Sequence, residues 1–342
     1  MRIATYNVEW FDALFDESGQ LLDDDEWSGR YNVTRGDQAW ALRDVFRALD
    51  ADIILVVEAP DHKPKRPSTK CLEHFAKFAG IRATAAEIGL PNQTQQELVA
   101  LFDPKVVKLR HEPVGHQSGK AGSADAPRFD TVFRWDIDND QRGDPVRWSK
   151  PPLELIVKHR SGFEFCMIGV HAKSKAPNGA KNEVEMMRRA VENRKKQLAQ
   201  CVWLRQRVEQ HLKMHEDLIL LGDFNDGPGL DPYEEALGKS GVEIVAGQDG
   251  EAKLFDPSLL MGATMTTSRF KLKGDDYLEA LLDFLLVSPD FLERKPFWRV
   301  WHPLRDPKIN ANKRLRDALL LASGHFPVTL DCEVDPGKKS PV

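Results

Sequence analysis

The chain has 342 residues, with 48 Lys and Arg against 53 Asp and Glu, and a formal net charge of −5. That balance excludes a strongly basic nucleic-acid coat but leaves room for a local basic groove. A hydrophobic content of 41% excludes disorder, and the absence of any apolar run near ~20 residues excludes a membrane span.

The N-terminus, MRIATYNVEWF, lacks the charged and apolar segments of a secretory signal. The cysteines, Cys71, Cys166, Cys201 and Cys332, form no C-x-x-C pair, which argues against a zinc or redox motif. These features are those expected of a cytoplasmic protein. Cys166, Cys201 and Cys332 sit in apolar runs and are expected in the core.

In chain order, Ile3 to Val8 is predicted as the first strand. A helix is predicted over 37–49, with Ala39, Leu42, Phe46 and Leu49 on one face. Asp52 to Glu58 is a buried strand ending in an acid, and Leu72, Phe75 and Ala79 mark another helix. Further strands are predicted at Leu98–Phe102, Thr131–Trp135, Leu153–Lys158, Phe163–Val170, Leu218–Leu221, Leu285–Val287 and Phe326–Val334. The longest helical pattern covers 181–213. Residues 14–36, 111–128 and 301–314 lack periodicity and are predicted as loops.

Many strands with few crossover helices fit a two-sheet sandwich flanked by helices. Strands followed by helices also leave a doubly wound parallel sheet open. With no internal repeat or linker, residues 1–335 are expected to form a single domain and 336–342 a tail.

Several apolar strands stop at a polar or acidic residue. ATYNVEW carries Asn7, ILVVEA Glu58, IGVHAKSK His171, LLGDFND Asp223 and Asn225, and LLDFLLVS Asp283. SGHFPVTL places His325 just before a strand. Strand ends gathered at one sheet edge make a rigid platform for chemistry. Carboxylates suited to Mg2+, an Asp–Asn pair and two imidazoles match the needs of phosphodiester hydrolysis. A hard cation neutralises a phosphoryl oxygen, a carboxylate activates water, and a protonated imidazole stabilises the developing charge.

TYNVEWF, VVEA, VHAKSK, LLGDFND, LLDFLLVS and SGHFPV resemble, in order and over residues 3–330, the motifs of the endonuclease/exonuclease/phosphatase superfamily. The resemblance implies a four-layer α/β sandwich of two mainly antiparallel sheets flanked by helices. It implies that Glu58 is the principal ligand of Mg2+ (or Mn2+), with Asn7 nearby. Asp223 would activate the nucleophilic water, Asn225 would help place the phosphate, and Asp283 would orient His325. His171 occupies the place of a phosphate-contacting or proton-donating residue. The last motif departs from the family's usual Ser-Asp-His, reading Ser323-Gly324-His325. Gly324 supplies no ligand, and Glu9, two residues after Asn7, is a candidate substitute.

Lys173 and Lys175 after His171, and Lys65 and Arg66 after Glu58, are candidate substrate contacts. Basic runs at 62–70, 269–273 and 294–316 flank these motifs and favour a polyanionic substrate. Trp10, Trp40, Trp135 and Trp148 are expected as packing residues rather than stacking platforms. The reading is a Mg2+-dependent nuclease with nucleic acid, DNA or RNA, as partner. One alternative is a hydrolase of a small phosphoester or phospholipid. Against it, the inositol-phosphatase pattern W-x-G-D-x-N is missing, because Leu220-Leu221 precede Gly222. A non-catalytic nucleic-acid-binding relative, motivated by Gly324, is the other.

Overall fold

The computed structural model describes residues 1–90, 96–136, 143–177, 179–229, 240–247, 252–261, 264–272, 274 and 276–334. In chain order these form β1 (Arg2–Asn7), α1 (Arg35–Leu49), β2 (Ile53–Ala59), α2 (Ser68–Ala79), β3 (Ala85–Ile88), β4 (Glu97–Phe102) and β5 (Val107–His111). There follow β6 (Phe133–Trp135), β7 (Asp144–Val146), β8 (Leu153–His159), β9 (Glu164–His171), α3 (Glu183–Lys213), β10 (Leu218–Asp223), α4 (Gly241–Ala246) and α5 (Ser258–Met261). The last elements are β11 (Ser268–Lys271), β12 (Tyr277–Ala280), β13 (Asp283–Val287), β14 (Phe297–Val300), α6 (Pro307–Ala311), α7 (Lys313–Ala322) and β15 (Val328–Asp331).

Two sheets carry the fold, in the orders β14-β15-β1-β2-β4-β3 and β13-β10-β9-β8-β5. Each contains one parallel pair, β1·β2 and β9·β10, among antiparallel neighbours. The reason lies in the sequence between those strands. A parallel pair needs a crossover, and α1 and α3 supply it. Thr34 caps α1 by accepting from the Asp37 N–H at 3.1 Å, and Asn182 caps α3 by accepting from the Glu185 N–H at 2.9 Å.

The central strands are buried on both faces, so they read as unbroken apolar runs. Ile53, Leu55 and Val57 point between the sheets, where they join Met167, Ile219, Leu221 and Leu285. Ile54 and Val56 point outward onto Leu42, Phe46 and Phe75 of α1 and α2. On the far side, Ile168, Val170, Leu218 and Leu220 meet Trp203, Leu204 and Val208 of α3. The layers are helix, sheet, sheet and helix, the four-layer sandwich expected.

Most predicted elements are present with small shifts at their ends. The predicted loop 301–314 is corrected, since it contains α6 and the start of α7. Asp306 caps α6 through the Lys308 and Ile309 N–H groups, and Asn312 caps α7 through the Leu315 N–H. The strand predicted at 131–135 shortens to β6, paired with β7 outside both large sheets. Strands β3, β5, β7, β11, β12 and β14 were not predicted. All four cysteines are buried. Among the described residues no helix is long and apolar enough to cross a membrane. The tail expected at 336–342 lies outside the described residues.

Candidate active site

The C-terminal ends of both parallel pairs point the same way and open into one cleft of about 860 Å³. β1 delivers Asn7, β2 delivers Glu58, β9 delivers His171 and β10 delivers Asp223. The register sets His171, Asp223 and Asp283 side by side across β9, β10 and β13. Asn7 closes the gap between the sheets by donating from Nδ2 to Asp223 Oδ2 at 3.0 Å.

Local backbone aims these groups. Glu58 sits at an irregularity between Val57 and Ala59 in the β2·β4 pairing, with φ 60°. Such a bulge turns a side chain that would otherwise follow the pleat. Gly222 precedes Asp223 with φ 138°, and a Cβ there would lie 2.0 Å from the Val170 carbonyl oxygen. Asn225 takes φ 50°, a conformation Asn tolerates, so that its own N–H donates to Asp223 Oδ1 at 2.7 Å.

Asp223 is fully enclosed. Its Oδ2 accepts from Asn225 Nδ2 at 3.2 Å and lies 3.9 Å from His325 Nε2 and 3.8 Å from His171 Nε2. Burial raises its pKa; the His325 cation opposes this and the Asp283 carboxylate adds to it. His325 Nδ1 hydrogen-bonds Asp283 Oδ2 at 2.8 Å. Burial alone would lower the His325 pKa, but the contact with Asp283 and the charge of Asp223 push it up to about 10. His171 goes the other way. Burial, then the nearby cations Lys150, His325 and Lys173, hold it well below the ordinary value. Lys150 Nζ lies 3.2 Å from its Nδ1, so the neutral ring presents Nε2–H toward Glu58 and Asp223, a tautomer inferred from these partners.

Glu58 accepts from Gln96 Nε2 at 2.6 Å and lies 4.0 Å from His171 Nε2. Burial raises its pKa, Lys150 and His325 oppose this, and the Glu9 charge adds to it. Glu9 lines the same cleft. Its Oε2 accepts from Arg30 and, at 2.6 Å, from the Gly324 N–H. A Cβ on residue 324 would fall 2.7 Å from that oxygen. The Glu9 carboxylate therefore occupies the space into which a side chain at 324 would project.

Lys173 and Lys175 also line the cleft, but Lys175 is ion-paired with Asp226. Lys65 and Arg66 are not brought there. Arg66 is buried against Asp12, and Lys65 is exposed outside the lining of the cleft. No residue of the basic run 294–316 lines the cleft. The run's Arg299 pairs with Asp306, Arg305 with Glu279 and Arg314 with Asp44, while β14, α6 and the start of α7 take up more than half of its length. Lys150 and Gln96 were missed. Lys150 had a signal, since Ser149-Lys150 directly precedes a strand, β8, that begins at the same edge. Gln96 had none.

Two acids, an amide oxygen and an imidazole pair at the C-terminal edge of a four-layer sandwich define the class of protein. The chain belongs to the Endonuclease/Exonuclease/phosphatase family, whose model matches residues 4–311. Members of that family are hydrolases acting on phosphoesters. Among the solved structures that share the fold are an APE2 and a TDP2. The Xenopus laevis APE2 catalytic domain has TM-score 0.51 at 14% identity, covering 97% of this chain and 92% of that one. D. rerio TDP2, complexed with a single-strand DNA product, has TM-score 0.50 at 12% identity, covering 98% and 99%. No match to the chain was found among curated proteins.

Proposed function

We propose that the chain is a divalent-cation-dependent phosphodiester hydrolase acting on nucleic acid. The observation that carries this is the convergence of Asn7, Glu58, His171, Asp223 and His325 on one cleft. The donor set fits Mg2+ or Mn2+. It consists of hard oxygens, and the buried Asn7 Oδ1 has no hydrogen-bond partner. Glu58 and Asn7 would hold the ion, with the Glu9 charge beside them. When bound, it neutralises a phosphoryl oxygen.

The protein's own groups do the rest. Asp223, fixed by Asn7 and Asn225, takes the proton of the attacking water. The Asp283 carboxylate keeps His325 protonated, so its Nε2–H stabilises the charge growing on the phosphoryl oxygens. Neutral His171 donates its Nε2–H to the phosphate, and Lys150 and Lys173 attract the anion. Asn225 Nδ2, held by the Ala172 carbonyl and Asp223, fixes the position of Asp223. A fold neighbour complexed with single-strand DNA lends the nucleic-acid reading its direction. The test is turnover of single-stranded DNA, RNA, duplex DNA and p-nitrophenyl phosphate with Mg2+ or Mn2+. Cleavage of nucleic acid above the monoester is expected; cleavage of the monoester alone would reject the substrate class.

A further inference from the structure

A second groove, about 560 Å³, opens beside the catalytic cleft and shares Glu9, Trp10 and Phe270 with it. Its walls are the segment after β1 and the β11–β12 hairpin. Trp10 was expected to be a packing residue, yet it is 53% exposed. Its backbone is left-handed, φ 63°, which turns the indole out of the sheet edge. Gly29 backs the ring so closely that a Cβ there would lie 2.2 Å from an indole carbon. One part of the indole is therefore sealed by backbone and held still, while the remainder stays open.

On the same wall Tyr31 is 77% exposed, and Lys271 Nζ, from the β11–β12 hairpin, lies 5.5 Å from its ring centroid. Fixed aromatic surface interleaved with an ammonium, continuous with a phosphoester-binding cleft, suits one occupant. Bases of a duplex stack on one another and offer no free face. An unpaired nucleotide does, and its phosphate suits Lys271.

Resting on the nucleic-acid reading above, we infer that the groove lined by Trp10, Tyr31 and Lys271 is a stacking subsite. It holds an unpaired nucleotide flanking the scissile phosphate and makes single-stranded nucleic acid the favoured substrate. A platform that only packs the fold would be indifferent to whether the flanking nucleotide carries a base.

The experiment compares two single-stranded oligonucleotides, one natural and one with abasic tetrahydrofuran units flanking the cleaved bond, with Mg2+ present. The readout is the ratio of their kcat/KM values in wild type, Trp10→Ala, Trp10→Phe and Tyr31→Ala. Wild type is expected to prefer the natural strand. Trp10→Ala should shrink that preference about tenfold, mainly through KM. Tyr31→Ala, at an exposed position that folding tolerates, should shrink it less, and Trp10→Phe should retain most of it. An unchanged preference in both alanine variants, or equal losses on both strands, overturns the subsite while leaving nuclease activity standing. A wild type that cleaves neither strand overturns the parent reading and the subsite with it.

Discussion

Asp223 and Asp283 are adjacent buried carboxylates, and His325 between them sets how the site responds to pH. Its pKa is raised to about 10 by these acids. The imidazolium is therefore present below that value and lost as pH rises through it. If turnover needs the cation, the alkaline limb of the pH–rate profile lies near 10. Asp283→Asn removes the main support, so the limb should move down toward the ordinary histidine range. A pH–kcat/KM series on both proteins checks this, and an unmoved limb would show that His325 does not act as a cation. Asp223→Ala should reduce kcat by about 10²–10⁴-fold, the usual contribution of a general base. Glu9→Gln tests the acid opposite Gly324. It should raise the Mg2+ concentration for half-maximal activity about tenfold, the lower end of losses seen for groups supporting a metal site.

At the scale of elements, the chemistry depends on how closely β9 and β10 approach. Gly222 sits with φ 138° against the Val170 carbonyl, where no Cβ fits. Gly222→Ala should therefore lose at least about 2 kcal/mol of stability, through strain and displaced β9·β10 hydrogen bonds. A denaturant titration measures it, and a neutral result would mean that the strands can part without loss. The elements that hold the site were the legible ones. β1, β2, β9 and β10 are buried on both faces, and burial leaves an apolar run that ends abruptly at Asn7, Glu58, His171 or Asp223. The unpredicted strands are peripheral. β3 is half-buried along its length, and β5 alternates charged Lys108 and Arg110 with apolar residues over only five positions. Such short, polar strands carry too weak a signal to separate from loops. α7 was hidden because its first turn, Lys313-Arg314-Leu315-Arg316, reads as a solvated charge run until Asn312 is seen to cap it.

At the scale of the whole molecule, cationic content did not translate into a cationic surface at the cleft. Arg299, Arg305 and Arg314 of 294–316 pair with Asp306, Glu279 and Asp44, whereas Lys150 and Lys173 line the cleft and Lys271 the groove beside it. About three phosphate contacts give a slope near −2 for log affinity against log salt on a single strand. Arg305→Ala, which releases an ion pair with Glu279, should leave that slope unaltered. Filter binding across a salt series decides it, and a steeper wild-type slope would mean that other basic segments reach the substrate.

What the amino-acid order determined by itself was the set of groups and their placement at strand ends. Burial and the needs of phosphoester chemistry both restrict residue type locally, and those restrictions survive in a string of letters. Orientation did not survive there. The bulge that turns Glu58, the ion pair that withdraws Arg66, the placing of Lys150 on His171 and the sealing of Trp10 by Gly29 all join residues distant in the chain or depend on backbone angles that residue type leaves open. Only the packing of the two sheets could decide them.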